Sequence, residues 1–464
     1  MRVAFIFFKG LDGCGVQRFA EVHRDWLRAN NHTCDFFAFK NSFSRAAKGR
    51  DKSIVMFDET DVREAMHRAN DYDIVMINSY PTTKFTMEAI KACYLALEQE
   101  VTRPIKVAMM HEIMPLNYNK VPCLPLFLNQ GDVIVTFDPE VPFVDDIRRT
   151  MPELLPRVSG YTIPFNEDEA DRIFAETTAT PFDAKDNRLT YIGRYSTIKD
   201  PNRLFQIQSI LNARNDPRAL WLSMVGVEKS LAYSEYVKKK EAGHYNQIIP
   251  TNNWFAGFQD GLHEAGKVAI YGLYQRSTIF KDVLDRSKFG CSFYSRSDRD
   301  VKSYGNRMEY TMLELCCATV PVFDAHWAKH NRTQNIEGNP LFSELPKFSV
   351  LIDKTDMMAG TDELLEIRDN PRAASQLRHN ALAVVKEENG SSNVLPRFYD
   401  RILGFGKRTD GLDKNDLARR MINGKFDPEL PAVSFNTIGQ VTELSTSESG
   451  RVSVKPRDLT RRIF

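Results

Sequence analysis

The chain has 464 residues, 42% of them hydrophobic, with 62 Lys and Arg against 61 Asp and Glu. That length exceeds what one core usually serves, so two domains are expected. Balanced charge excludes a polyanion binder that works through overall charge, and any nucleic acid must be met by a local basic patch. The 7 cysteines form no C-x-x-C pair, which argues against a disulfide framework or zinc knuckle and suits a reducing cytosol. The apolar start, residues 1–8, is short and lacks a small-residue cleavage site, so it reads as a buried strand rather than a signal peptide. No apolar run reaches the roughly 20 residues that span a bilayer, so no membrane partner is expected.

Residues 3–8 form a continuous apolar run, as in a buried parallel strand. A glycine-rich turn over 9–15 leads into an amphipathic helix carrying Phe19, Val22, Trp26 and Leu27. Further strands are expected at 74–77, 105–109, 133–137 and 161–164, with helices such as 85–98 between them. This rhythm predicts a doubly wound parallel sheet and a first Rossmann-like domain over 1–165. The polar, acidic stretch 166–187, which contains Pro181, is expected to be a linker. A second series at 189–192, 220–225, 268–271, 289–294 and 319–323 predicts a second Rossmann-like domain over 188–390. A helix over 391–404 closes the recognisable fold, and 405–464 is a polar extension expected to be extended or partly ordered. Its end carries Arg451, Lys455, Arg457, Arg461 and Arg462 against Asp458, which suits either a solvated terminus or a DNA or partner contact. Two such α/β domains leave a cleft at the C-terminal ends of their strands, where ligands of open sheets bind.

Three stretches can carry chemistry in that cleft. The turn Lys9-Gly-Leu-Asp-Gly-Cys-Gly15 joins the first strand to the first helix. Its glycines allow close backbone approach to an anion at the helix N-terminus, although the spacing is not the dinucleotide G-x-G-x-x-G and a purely structural turn fits too. Gly193-Arg194-Tyr-Ser-Thr-Ile-Lys199 follows the first strand of the second domain. Arg194 and Lys199 there can hold a diphosphate and stabilise it as a leaving group; the alternative is a solvated basic loop. The third stretch, 305–323, reads as helix start, helix, turn and buried strand, with Asn306, Arg307, Glu309, Tyr310 and Thr311 around the helix start. Glu309 is expected in the first turn. Glu314, five residues on, cannot share its face, so the two are expected to contact different parts of one ligand or to be ordinary surface glutamates. A fourth stretch, Lys40, Arg45, Lys48, Arg50 and Lys52 around Phe43, makes a basic loop suited to DNA phosphates or simply to solvent.

The stretches Lys9-Gly-Leu-Asp-Gly-Cys-Gly-Val16, His23-Arg-Asp-Trp26, Asn78-Ser79, Gly226-Val-Glu-Lys-Ser230 and Glu309-Tyr-Thr-Met-Leu-Glu314 with Pro321-Val-Phe323 make the chain resemble the T-even bacteriophage DNA α-glucosyltransferases. These are retaining enzymes of GT-B architecture, and the resemblance spans residues 1 to about 404. It implies that Arg194 and Lys199 bind the donor diphosphate, Glu314 the UDP ribose, and Glu309 the region of the donor sugar and phosphates. It also implies that Gly13 and Gly15 line the donor side. His111 and Glu112 match the family's His-Asp at the sugar and acceptor, but this chain has Glu for Asp, and Ile113 where a second His follows.

The expected reaction is therefore transfer of a sugar, glucose first, from a UDP-sugar to 5-hydroxymethylcytosine in double-stranded phage DNA. Uracil is expected near Tyr271 and Leu273. The target base is expected to be extruded, with Glu112 orienting or deprotonating its hydroxyl and His111 contacting the sugar. No obligatory cofactor or metal, a monomer, and the cytoplasm of the infected host complete the expectation. The rivals are the same chemistry with UDP-arabinose, a GT-B enzyme with a non-DNA acceptor, and a non-catalytic DNA-binding protein. Asp298-Arg-Asp300 and the pair His326 and His330 look like metal sites but are read as surface or packing residues.

Overall fold

A computed structural model describes residues 1–7, 15–39, 54–57, 61–78, 96–111, 130–136, 142–193, 202–214, 220–225, 268–271, 280–293, 308–325, 347–353, 355–409, 433–435, 441–446 and 452–456. The first domain contains β1 (Arg2–Phe7), α1 (Gly15–Ala29), β2 (Thr33–Phe39), β3 (Ile54–Phe57), α2 (Val62–Arg68), β4 (Ile74–Ile77), β5 (Ile105–Met110), β6 (Val133–Thr136), α3 (Pro142–Thr150) and β7 (Val158–Gly160). Its strands form one sheet in the order β3-β2-β1-β4-β5-β6-β7, every pair parallel. β1, β4 and β5 are buried almost throughout, because helices cover both faces of such a sheet.

α4 (Glu167–Thr178) follows, and then the second domain: β8 (Asp186–Ile192), α5 (Asn202–Ala213), β9 (Trp221–Val225), β10 (Val268–Tyr271), a π-helical turn Phe280–Leu284, β11 (Ser287–Cys291), α6 (Tyr310–Ala318), β12 (Val320–Asp324), β13 (Val350–Ile352), α7 (Met357–Arg368) and α8 (Pro371–Asn389). Its parallel sheet runs β10-β9-β8-β11-β12-β13. α6 lies close on this sheet because position 290 has no side chain. A Cβ on Gly290 would sit 2.6 Å from Leu315 Cδ2.

Both expected Rossmann-like sheets are present, with several differences in detail. The strand expected at 161–164 is instead β7, Val158–Gly160; Tyr161 N still donates to Thr136 O of β6 at 2.9 Å, and the chain then runs on toward the second domain. The stretch 166–187 is not a bare linker. Asn166 caps α4, its side chain accepting from Glu169 N at 3.0 Å, and Ala170, Ile173 and Thr177 are buried. The expected helix over 85–98 lies mostly outside the described residues.

The closing helix α9 (Ser391–Phe405) returns to the first domain. There Tyr399 stacks on Trp26 of α1, with ring centroids 5.9 Å apart. The chain thus passes between domains twice, and the two passages are bonded side by side. Phe165 N donates to Asn389 O at 2.6 Å, Ser391 N to Phe165 O at 2.8 Å, and Asn389 Nδ2 to Ile163 O at 2.8 Å. Past α9, Arg157 donates to Asp132 O, Gly406 O and Lys407 O, and Arg408 N donates to Asp132 Oδ1 at 3.0 Å. Asp132 precedes β6, so the extension departs from the N-terminal edge of the first sheet, away from the strand ends that form the cleft. Within it β14 (Val433–Phe435), β15 (Val441–Thr446) and β16 (Val452–Pro456) form an antiparallel sheet.

Gly290→Ala is expected to lower stability by about 1–3 kcal/mol, the usual cost of overpacking. Urea unfolding followed by circular dichroism measures it, and an unchanged midpoint would show that α6 does not rest on β11.

Candidate active site

In an open parallel sheet, ligands bind where strand order reverses, at the C-terminal ends. In the first sheet that point lies between β1 and β4, and in the second between β8 and β11. Around the first are Gly15, opening α1 after β1; Asn78, directly after β4; and His111, directly after β5. Gly193 stands at the second, directly after β8.

The two domains meet at the starts of two helices. A Cβ on Gly15, the first residue of α1, would lie 3.8 Å from Tyr310 Cδ2, and Tyr310 is the first residue of α6. Neither helix carries an acid in its first turn, where acids commonly offset the exposed N–H groups. Two positive helix ends therefore adjoin at the seam, a geometry that favours an anion. The Tyr310 hydroxyl donates to Pro164 O at 3.0 Å, and its ring lies 5.9 Å from the Arg18 guanidinium. Arg18 itself pairs with Glu169 of α4. Tyr310 thus uses its polar end to hold the domain junction. At the other end of α6, Arg378 of α8 donates to Ala318 O at 3.0 Å, a cation on the negative helix end.

The helix α6 begins at Tyr310, within the span expected for its start, with Glu309 just before the first turn rather than in it. Glu309 is its N-cap, exposed and with no capping side-chain bond, while its carbonyl accepts from Met312 N and Leu313 N at 2.9 and 3.0 Å. Glu314 is buried, so the reading of two surface glutamates is wrong for one of them. The five-residue offset does place the pair on different faces, one exposed and one turned into the protein. Thr311 is half-buried in the first turn.

His111 is half-buried, with both ring nitrogens turned toward the first domain's own interior. Nε2 lies 2.8 Å from Asn78 Oδ1 and Nδ1 lies 3.1 Å from the Tyr161 hydroxyl. Phe19 meets His111 and Tyr161 edge-on, each at 5.1 Å. Behind Phe19, at 4.2 Å, is His23, a buried residue of α1 that the sequence offered only as part of a stretch carrying the family resemblance, with no role of its own. Its Nδ1 lies 2.8 Å from the Tyr399 hydroxyl, and its Nε2 has no hydrogen-bond partner among the described residues. Burial holds the His23 pKa well below the ordinary 6.5, and nearby His111 acts in the same direction.

Of the other expected site residues, Tyr271 ends β10, on the edge of the second sheet. Gly13, Glu112, Arg194, Lys199, Leu273, Asn306, Arg307 and the basic residues Lys40, Arg45, Lys48, Arg50 and Lys52 lie outside the described residues, as do Asp298, Asp300, His326 and His330. Among the described residues no group of three or more His, Cys, Asp or Glu could hold a metal, and no helix is long and apolar enough to cross a membrane.

Two facing parallel sheets, joined by paired crossings and closed by a helix that returns to the first domain, define a GT-B glycosyltransferase. The chain belongs to the DNA alpha-glucosyltransferase family, whose model matches residues 14–372. It is 26% identical over 427 residues to the DNA alpha-glucosyltransferase of Enterobacteria phage T4, covering 87% of this chain and 100% of that protein. Among solved structures it is similar to an alpha-glucosyltransferase in complex with UDP-glucose and DNA containing an abasic site, with TM-score 0.67, 22% identity, and 87% and 99% of the two chains covered. It is also similar to Anabaena Alr3699/HepE in complex with UDP-glucose, with TM-score 0.56, 11% identity, and 87% and 100% covered.

The buried His23 ring fixes a sign for acid sensitivity. Below about pH 6.5 the unfolded chain takes up a proton at this position while the folded ring does not, so stability falls as pH drops through that window. His23→Gln, which can still accept from Tyr399, should show a flatter fall between pH 7.5 and 5.5 in urea midpoints; parallel curves would contradict it.

Proposed function

We propose that this enzyme transfers glucose from UDP-glucose, with retention at the anomeric carbon, to the hydroxyl of 5-hydroxymethylcytosine in double-stranded phage DNA. The observation that carries this reading is the meeting of two helix N-termini at Gly15 and Tyr310, in a chain of the DNA alpha-glucosyltransferase family. An incoming UDP-sugar places its diphosphate against those N–H groups. Arg194 and Lys199, five residues apart in the stretch that follows β8, add side-chain charge whose stabilisation grows as the leaving group departs.

On this reading Glu314 accepts from the ribose hydroxyls, and Tyr271 and Leu273 flank the uracil. Asn306, Arg307, Glu309 and Thr311 surround the phosphates and donor sugar, with Gly13 and Gly15 across the seam. DNA runs along the mouth of the cleft, gripped by Lys40, Arg45, Lys48, Arg50 and Lys52. The base is extruded, because its hydroxymethyl group is out of reach inside the stack. The bond from the anomeric carbon to the phosphate oxygen breaks as the bond to the DNA hydroxyl forms on the same face. UDP, glucosylated DNA and one proton are the products. The protein acts as a monomer in the cytoplasm of the infected bacterium. The change from His-Asp-His to His111-Glu112-Ile113 favours one second reading, the same transfer with a pentose donor such as UDP-arabinose.

Nucleosides from duplex DNA incubated with the enzyme and mixed UDP-sugars, analysed by mass spectrometry, test the proposal. A hexose on hydroxymethylcytosine is expected. A pentose would move the assignment to the second reading, and unmodified DNA would overturn both. Lys199→Ala is expected to lower turnover about 100-fold or more, as loss of a leaving-group contact does, while DNA affinity in a filter-binding assay stays within about 2-fold. Retained turnover would remove Lys199 from the diphosphate.

A further inference from the structure

His111 stands at the end of β5, where the acceptor side of the cleft begins, and its ring is fixed by two buried neighbours. Asn78 is fully buried, and its amide has a determined orientation. Nδ2 lies 3.2 Å from Val16 O, which can only accept, so Nδ2 is the donor there. The other end of the amide, Oδ1, then faces His111 Nε2 at 2.8 Å, and a carbonyl oxygen can only accept. His111 Nε2 must therefore carry a proton. The remaining nitrogen, Nδ1, is met at 3.1 Å by the hydroxyl of buried Tyr161, which can donate to it. Phe19 closes the space between these rings, and Phe398 of the closing helix lies 6.5 Å behind Tyr161.

We infer that Asn78 and Tyr161 are positioning residues for His111, fixing the Nε2–H tautomer and keeping both ring nitrogens out of the cleft. Resting on the proposed glycosyl transfer, this deepens it in one respect. The acceptor's proton does not go to the imidazole. As the hydroxyl oxygen bonds to the anomeric carbon and the carbon–phosphate oxygen bond breaks, the proton passes to an oxygen base, either the Glu112 carboxylate or the leaving diphosphate. His111 serves as a rigid support at the end of β5, directly before Glu112 in sequence, and the bond to Asn78 ties that support to α1 through Val16.

The test uses the full chain labelled with 15N-histidine, with the His111 signals assigned by their loss in His111→Gln. The expected spectrum has a protonated Nε2 and an unprotonated, hydrogen-bonded Nδ1. Tyr161→Phe keeps the ring and shape, and should move the Nδ1 shift toward that of an unbonded nitrogen while leaving Nε2 in place. Asn78→Leu should lose the single tautomer, whereas Asn78→Asp, which retains an acceptor, should keep Nε2 protonated. In turnover assays Asn78→Leu should lower kcat at least about 10-fold with little change in KM for the UDP-sugar, and Asn78→Asp should recover most of that loss. A proton on Nδ1 alone in the unmodified protein, or a tautomer indifferent to both Tyr161→Phe and Asn78→Leu, would overturn the inference. The spectra do not depend on any glycosyl transfer, so failure of the transfer assay leaves the positioning result readable by itself.

Discussion

The account depends on two helix N-termini held against each other. A helix start carries roughly half a positive charge, so bringing α1 and α6 together at Gly15 and Tyr310 is unfavourable unless something offsets it. Acids in the first turns would do so, and neither helix has one, although the N-cap Glu309 places an exposed carboxylate at the start of α6. Instead the approach is maintained from outside by the Tyr310 hydroxyl on Pro164 O, by Arg18 paired with Glu169, and by the two hydrogen-bonded chain crossings at Phe165 and Asn389. Two positive ends held together in this way suit an anion between them. A diphosphate meets that requirement, and its charge rises as the glycosidic bond breaks, which is when stabilisation lowers a barrier.

The same geometry divides labour between the sheets. The second domain is built to hold one helix rigidly: Gly290 lets α6 settle on β11, and Arg378 takes up the negative end of α6. The first domain carries a polar set at its strand ends. Asn78, His111 and Tyr161 follow or flank the ends of its strands in a connected set, backed by a cluster of aromatic rings and His23. The closing helix reaches this cluster through Phe398 and Tyr399.

Much of the fold could be read from the chain alone, because buried parallel strands are continuous apolar runs. β4 and β10 have the expected bounds, and β1, β5, β6, β8, β9, β11 and β12 differ at their ends by a few residues. β2 and β3 escaped, since Thr33, Asp35 and the short run at Ile54 break the apolar pattern. The 166–187 stretch reads as a linker because its acids dominate, yet three of them lie in the first turn of α4, where a helix start favours them. Glu309 and Glu314 were visible as a pair on different faces, but burial of the second depends on packing against the rest of the domain. His23, Asn78 and Tyr161 were least visible as a set: their partners lie tens to hundreds of positions away, and no local spacing announces a hydrogen bond between His111 and Asn78 or between Tyr399 and His23.

A crystal structure of the protein with UDP-glucose would measure the central claim directly, through the positions of the phosphorus atoms. The account places phosphate oxygens within hydrogen-bond reach of the main-chain N–H groups opening α6, with Gly15 and the start of α1 across the gap. A diphosphate seated away from both helix starts would contradict it.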